Sequence, residues 1–172
     1  MGEFMLYRTR TYIAADWTGD ADLINKLYEW NRSNYWALSF SDAHELTQSR
    51  DTSLPCTIKN SLAERLNCSK TFVLIVGNKT NCLTKGSCSY CNSYNSYTCI
   101  CARGHYVDYR SFIAFECEKA VRDGLKIVVL YNDTNVYRSM CPESVRYKGT
   151  HIAAKNPFTY MWDYDAIKRA II

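Results

Sequence analysis

The apolar positions of this chain switch repeatedly between two spacings. Residues 7–15 (YRTRTYIAA) read as a strand, and 16–20 (DWTGD) as the polar turn that ends it. Leu23, Leu27 and Trp30 then recur at helical spacing within 21–30, with Asp20 placed as the N-cap. Residues 36–40 read as a short second strand, followed by a polar loop over 41–53. Ile58, Leu62 and Leu66 stand four apart in a helix over 54–67, with Pro55 near its start. Residues 70–76 (KTFVLIV) are almost wholly apolar, as in a strand covered on both faces, and Gly77 stops them. Helical spacing returns in 110–124 and leads into another apolar strand, 125–131 (LKIVVLY). A short edge strand over 151–154 and an amphipathic helix over 163–172 close the pattern.

Strands that alternate with helices, with apolar central strands, predict an α/β domain around a mostly parallel sheet. Right-handed crossovers place helices on both faces, which gives three layers. Ligands in such sheets bind at the carboxyl ends of the strands. The loops 16–20, 41–53 and 78–109 are all expected to open on that rim, together with the start of the helix at 110.

One acid stands out against this pattern. In the helix over 110–124, Ile113, Cys117, Ala120 and Val121 share a face, and Glu116 lies at its border. Glu118 and Arg122 point the other way. A carboxylate at an apolar border is costly unless it is paired or used, which makes Glu116 the leading candidate for chemistry. The plainer alternative is an acid favoured by the helix dipole and paired with Lys119 or an arginine. Asp16 and Trp17 follow the first strand, where Trp17 could stack on a flat ring or simply pack at the rim. Asp42 and His44, in the next loop, could hold a ribose hydroxyl, pair with each other, or form a solvated turn.

The segment 78–109 breaks the rhythm, being rich in Cys, Ser, Asn, Tyr and Gly and far longer than an ordinary connection. Five of the nine cysteines crowd into it as C-x5-C-x2-C-x7-C-x-C, with His105 four residues further on. Cys88 and Cys91 have the bite that zinc favours, and Cys82 with Cys99 or Cys101 would complete four ligands. The set taken forward is Cys82, Cys88, Cys91 and Cys101, a structural zinc that would order a polar segment. The alternatives are reduced or partly disulfide-linked thiols on a surface loop, or redox chemistry of the C-x-x-C pair.

Composition narrows the classes. The 172 residues suit one domain, and the repeated Met suggests Met5 as the natural start, giving a single domain over 5–172. Apolar content of 47% and charged content of 22% are ordinary for a globular protein. A net charge of +4 without a basic run argues against nucleic acid, and no apolar run is long enough to span a membrane. Without a signal peptide pattern, a cytoplasmic location is expected. There is no G-x-G-x-x-G or P-loop, no G-x-S-x-G elbow and no H-E-x-x-H motif, which argues against standard dinucleotide dehydrogenases, P-loop enzymes and common hydrolases.

Several segments together resemble one family. KTFVLIVGNKT (70–80) and RSFIAFECEKAVRDGLKIVVLYN (110–132) are similar to the bacterial TIR-like proteins of the domain-of-unknown-function 1863 class, which include the TIR subunits of Thoeris anti-phage systems. The first strand with Asp16 and Trp17, LSFSDAHE (38–45) and IKNSLAERLNCSK (58–70) fit the same family. The resemblance implies a flavodoxin-like or TIR-like three-layer sandwich, here with a Cys-rich insertion over 78–109. It also implies an aromatic–apolar–x–aromatic–Glu motif that opens a helix, matched by Phe112, Ile113, Ala114, Phe115 and Glu116. In that family the glutamate is the catalytic acid of NAD cleavage, so Glu116 is the expected catalytic residue. Asp16, Trp17, Asp42, His44 and Phe112 are the expected substrate contacts. The implied product is a nucleotide signal, linear or cyclic, that reaches a separate effector protein, and self-association is expected. The alternatives are a non-catalytic TIR-like interaction module and a flavodoxin-like or receiver-like signalling domain.

Overall fold

The computed structural model describes residues 8–34, 38, 40–41 and 54–172. Four strands form one sheet among these residues: β1 (Arg10–Ala14), β2 (Ser69–Val76), β5 (Lys126–Tyr131) and β6 (Thr150–Ala153), in the order β1-β2-β5-β6. Every pairing in it is parallel, with Phe72 of β2 opposite Tyr12 of β1 and Ile127 of β5. Two short strands, β3 (Tyr94–Asn95) and β4 (Ile100–Cys101), form a separate antiparallel hairpin inside the Cys-rich segment.

The alternation of side chains along the strands sorts the core into two halves. Tyr12, Phe72, Leu74, Ile127 and Val129 face helices α2 (Pro55–Asn67) and α3 (Phe112–Arg122), which contribute Leu62, Leu66, Ile113, Cys117 and Ala120. Ile13, Val73, Ile75, Val128 and Leu130 face α1 (Ala21–Arg32) and α4 (Tyr164–Ile171), which contribute Leu23, Leu27, Trp30, Ile167 and Ile171. The result is the three-layer α/β sandwich expected from the pattern. Parallel strands need a crossover between each pair, and the helices that make those crossovers cover both faces.

Element boundaries follow local chemistry. Pro55 opens α2 at a position where its missing N–H costs nothing. Ser111 caps α3, its Oγ accepting from the Ala114 N–H at 3.1 Å. Asp20 occupies the N-cap position of α1, but its carboxylate makes no cap bond. It instead accepts from Asn132 Nδ2 at 2.9 Å, tying the end of β5 to the start of α1. The strand expected over 36–40 lies partly outside the described residues. Of its neighbourhood, Asn31 holds Phe40 by two hydrogen bonds of 2.9 Å, and Ser41 O accepts from Thr11 N at 2.7 Å.

Among the described residues no helix is long and apolar enough to cross a membrane. Leu74 is fully buried at the centre of β2. Leu74→Ala is expected to cost about 3 kcal/mol, the sum of lost transfer energy and a residual cavity. Chemical denaturation of the two proteins measures this, and a loss below about 1 kcal/mol would mean that β2 is not the centre of the core.

Candidate functional site

Helix α3 reaches β5 through only three residues, 123–125, so its last turn sits at the amino end of the sheet. Its 11 residues rise about 16 Å, which carries Phe112 back toward the carboxyl ends of the strands. Glu116 lies one turn inside that end. The border position read from the helical wheel becomes an interior one where α2 packs along α3, with Arg65 of α2 near enough for its charge to act on Glu116. Glu116 is only 6% exposed.

The Glu116 carboxylate accepts a hydrogen bond from the Tyr12 hydroxyl. Tyr12 is fully buried in β1, two residues short of that strand's carboxyl end. Burial raises the Glu116 carboxyl to about 7, while the Tyr12 hydrogen bond and the charge of Arg65 pull in the other direction. Burial and the adjacent carboxylate push the Tyr12 hydroxyl well above its ordinary value, so it remains the donor. Lys119, one of the ion-pair partners considered for Glu116, pairs with Asp123 at 2.6 Å. Arg65 is the cation whose charge acts on Glu116, and it is itself 6% exposed. A carboxyl group at about 7 can hold or release a proton near neutral pH, as acid–base and charge-stabilising chemistry requires.

Phe112, one turn before Glu116, is fastened to the Cys-rich segment. Its N–H donates to Lys85 O at 2.9 Å, and its ring lies so close to Gly86 that an added Cβ there would come within 2.5 Å of Cδ1. Just before the helix, Asp108 takes Arg110 Nη2 at 2.9 Å and Lys59 Nζ of α2 at 3.4 Å. Burial pushes the Asp108 carboxyl up, but the hydrogen bonds from Arg110 and the charge of Lys59 outweigh it and hold it at about 2. Arg110 also bonds Glu118 at 2.7 Å and lies over the Phe115 ring at 5.2 Å. The segment before α3 is thus tied to both helices of this face.

Other expected site residues are distributed differently. Trp17 is 46% exposed and stacks on Tyr28 of α1 with ring centroids 6.3 Å apart, on the opposite side of the sheet from α3. Asp16 folds into its own turn, Oδ1 accepting from Thr18 N at 3.2 Å. Asp42 and His44 lie outside the described residues. Tyr12 and Arg65 are the site residues that the sequence did not announce. Each sits at an ordinary position of a strand or helix, and only the packing of β1, α2 and α3 brings them to Glu116.

All nine cysteines are free thiols. Among the described residues no group of three or more His, Cys, Asp or Glu side chains is placed to hold a metal ion. Cys88, Cys91 and Cys101 do line one small cavity. Cys82 does not join them; it is exposed at the end of a separate turn, Thr80–Cys82.

The Tyr12–Glu116 pair can be tested by removing one oxygen. Tyr12→Phe is expected to destabilise the fold by about 1–3 kcal/mol, because a buried acceptor loses its donor. The same change removes a contribution that lowers the Glu116 carboxyl, so that group should titrate above its present value of about 7. Carboxyl-selective infrared or NMR titration of both proteins reads this, and an unchanged Glu116 titration would break the proposed pairing.

Comparison with known proteins agrees with this architecture. Residues 12–84 match the family model for the TIR-like domain of the Thoeris protein ThsB. The match runs from β1 through β2 into the Cys-rich segment and stops short of α3 and Glu116. A search of curated proteins returned no match. With four parallel strands between two pairs of helices and a match that spans the first half of that sheet, the described part of the chain is similar to a TIR-like domain.

Proposed function

We propose that this protein cleaves NAD at the bond between nicotinamide and ribose, with Glu116 as the catalytic carboxylate. The observation that carries the reading is the Glu116 carboxyl itself, buried one turn inside the rim end of α3, held by Tyr12 and raised to about 7. In the reaction the C1′–N bond breaks and its electron pair goes to the nicotinamide nitrogen. That neutralises the pyridinium, so no acid is needed for the leaving group. Positive charge moves onto the ribose, and one ionised carboxylate nearby stabilises it. The approach of the cationic nicotinamide ring favours ionised Glu116. Water, or an adenine nitrogen or ribose hydroxyl of the same molecule, then adds to C1′ and gives up a proton. A carboxylate of this pKa is suited to receive it. The two-carboxylate arrangement of many glycosidases is not required. A nucleotide product of this kind would serve as a diffusible signal to a separate effector, and relation to a Thoeris protein supports a place in anti-phage defence.

The competing reading is a non-catalytic TIR-like interaction module. The depth of Glu116 favours it, as does the exposed apolar group Phe158, Tyr160 and Met161. Incubation of the protein with NAD, with products resolved by mass and chromatography, separates the two. Under the enzymatic reading NAD is consumed, and Glu116→Gln lowers the rate by at least about 10²-fold. Full activity in that variant removes Glu116 from the mechanism. Absence of turnover at high protein concentration, together with a defined partner complex, supports the interaction module.

A stability measurement checks the burial of Glu116 independently of substrate. The native carboxyl titrates at about 7 against an ordinary value of 4.5, so the folded state holds a proton that the unfolded chain has released. Stability contributed by this group therefore falls as pH rises from about 4.5 to 7. Glu116→Gln cannot titrate, so its stability relative to wild type should rise by about 3 kcal/mol across that window. Denaturation of both proteins at pH 4.5 and pH 8 gives the difference, and parallel pH profiles would mean that Glu116 is not buried as described.

A further inference from the structure

We infer that Cys88, Cys91, Cys101 and His105 bind one zinc ion and that this ion orders the segment in front of α3. The four side chains line a single cavity between the Cys-rich segment and the start of α2. Its volume is about 10 Å³, the space of one water-sized sphere, which is enough for an ion.

The backbone around these residues is arranged as two ligand-presenting turns joined by a hairpin. The first turn, Cys88–Tyr90, is closed by Cys91 N donating to Cys88 O at 3.0 Å, and both cysteines line the cavity. The hairpin then pairs Tyr94 with Cys101, so the chain returns Cys101 to within three residues of Cys91 along the facing strand. The second turn runs from Cys101 to His105, with Gly104 N bonded to Cys101 O at 3.0 Å and Gly104 at φ +79°. That left-handed conformation suits glycine and turns His105 back toward Cys101.

Each of the three sulfurs also receives backbone N–H groups. Cys88 Sγ accepts from Asp108 N at 3.3 Å, and Cys91 Sγ from Ser93 N at 3.4 Å. Cys101 Sγ faces the N–H groups of Arg103, Gly104 and His105. Amide donors directed at sulfur stabilise thiolates and fix the orientation of ligands to a metal. Three thiolates, one neutral imidazole and Zn²⁺ leave one negative charge, and the Arg103 guanidinium lies near enough to Cys101 to act on it. The side chains as placed line the cavity without meeting at one point. Ligation would release three thiol protons and draw the sulfurs to about 2.3 Å and the imidazole nitrogen to about 2.0–2.1 Å from the ion.

This assignment revises the ligand set expected from spacing alone. Cys82 is replaced by His105, because Cys82 belongs to a different turn. Cys99 sits exposed at the tip of the hairpin with φ +52°, its thiol toward Ser96 O at 3.8 Å. The site is mechanically linked to α3. Asp108, whose N–H bonds Cys88 and whose O accepts from Cys88 N, is the residue that engages Lys59 and Arg110.

Elemental analysis of the full chain, with cobalt(II) substitution of the stripped protein, tests the site without any enzyme assay. The expected result is about one zinc per chain and a thiolate-to-cobalt absorption with tetrahedral d–d bands. Cys101→Ser and His105→Ala should lose zinc, whereas Cys82→Ser and Cys99→Ser keep it. His105→Cys should also keep it, which separates loss of a ligand from loss of fold. Absence of both zinc and the cobalt spectrum overturns the inference. Zinc lost in Cys82→Ser but retained in His105→Ala overturns it equally.

Discussion

The parallel pairing of β2 with β5 is the constraint on which the rest of this molecule depends. Both strands are buried on both faces, and their register places Phe72 against Ile127 and Leu74 against Val129. A strand apolar on both sides is stable only if something covers each side. Parallel neighbours also force long connections, so α1, α2 and α3 cover the sheet as parts of the crossovers, and α4 joins them after the last strand. The two core halves follow: α2 and α3 on one face, α1 and α4 on the other. The direction of α3 follows too, and with it the placement of Glu116 near the carboxyl ends of the strands.

Glu116 shows how such a framework changes the chemistry of a side chain. On an isolated helix it would be a half-exposed acid near the first turn, and a mild helix stabiliser. Packed between α2 and the sheet, it loses its water and gains one hydroxyl donor from β1. Desolvation then dominates, and the carboxyl group moves to about 7. Tyr12 and Arg65 each counter that movement, so its final position reflects three elements that are distant in sequence.

The Cys-rich segment solves a different physical problem. It has little apolar side-chain material with which to form a core of its own, and Tyr97, Ile100 and Tyr106 are exposed. Its order comes instead from turns, a two-residue hairpin pairing and ties at both ends: Lys85 to Phe112, and Asp108 to Lys59 and Arg110. These ties make the start of α3 dependent on the segment, so whatever orders the segment also positions the helix that carries Glu116.

Periodicity alone was enough to read the central strands, the four helices and the three-layer class, because two-faced burial and amphipathic spacing are local properties of the chain. Ile58, Leu62 and Leu66 of α2, and the run FVLIV in β2, announce their burial without reference to any partner. Glu116 was legible as an anomaly for the same reason, since its apolar neighbours lie on its own helix. Its depth, its bond to Tyr12 and the influence of Arg65 were not legible, because each requires residues that meet only once α2, α3 and β1 are packed. The cysteines divide in the same way. Their spacing showed that a short-range pair existed at Cys88 and Cys91, while the hairpin register decided that Cys101 and His105 share the cavity and that Cys82 does not. Sequence determined what each element must hide. Tertiary structure decided which buried groups face one another, because hydrogen bonding and desolvation depend on distances that local pattern does not encode.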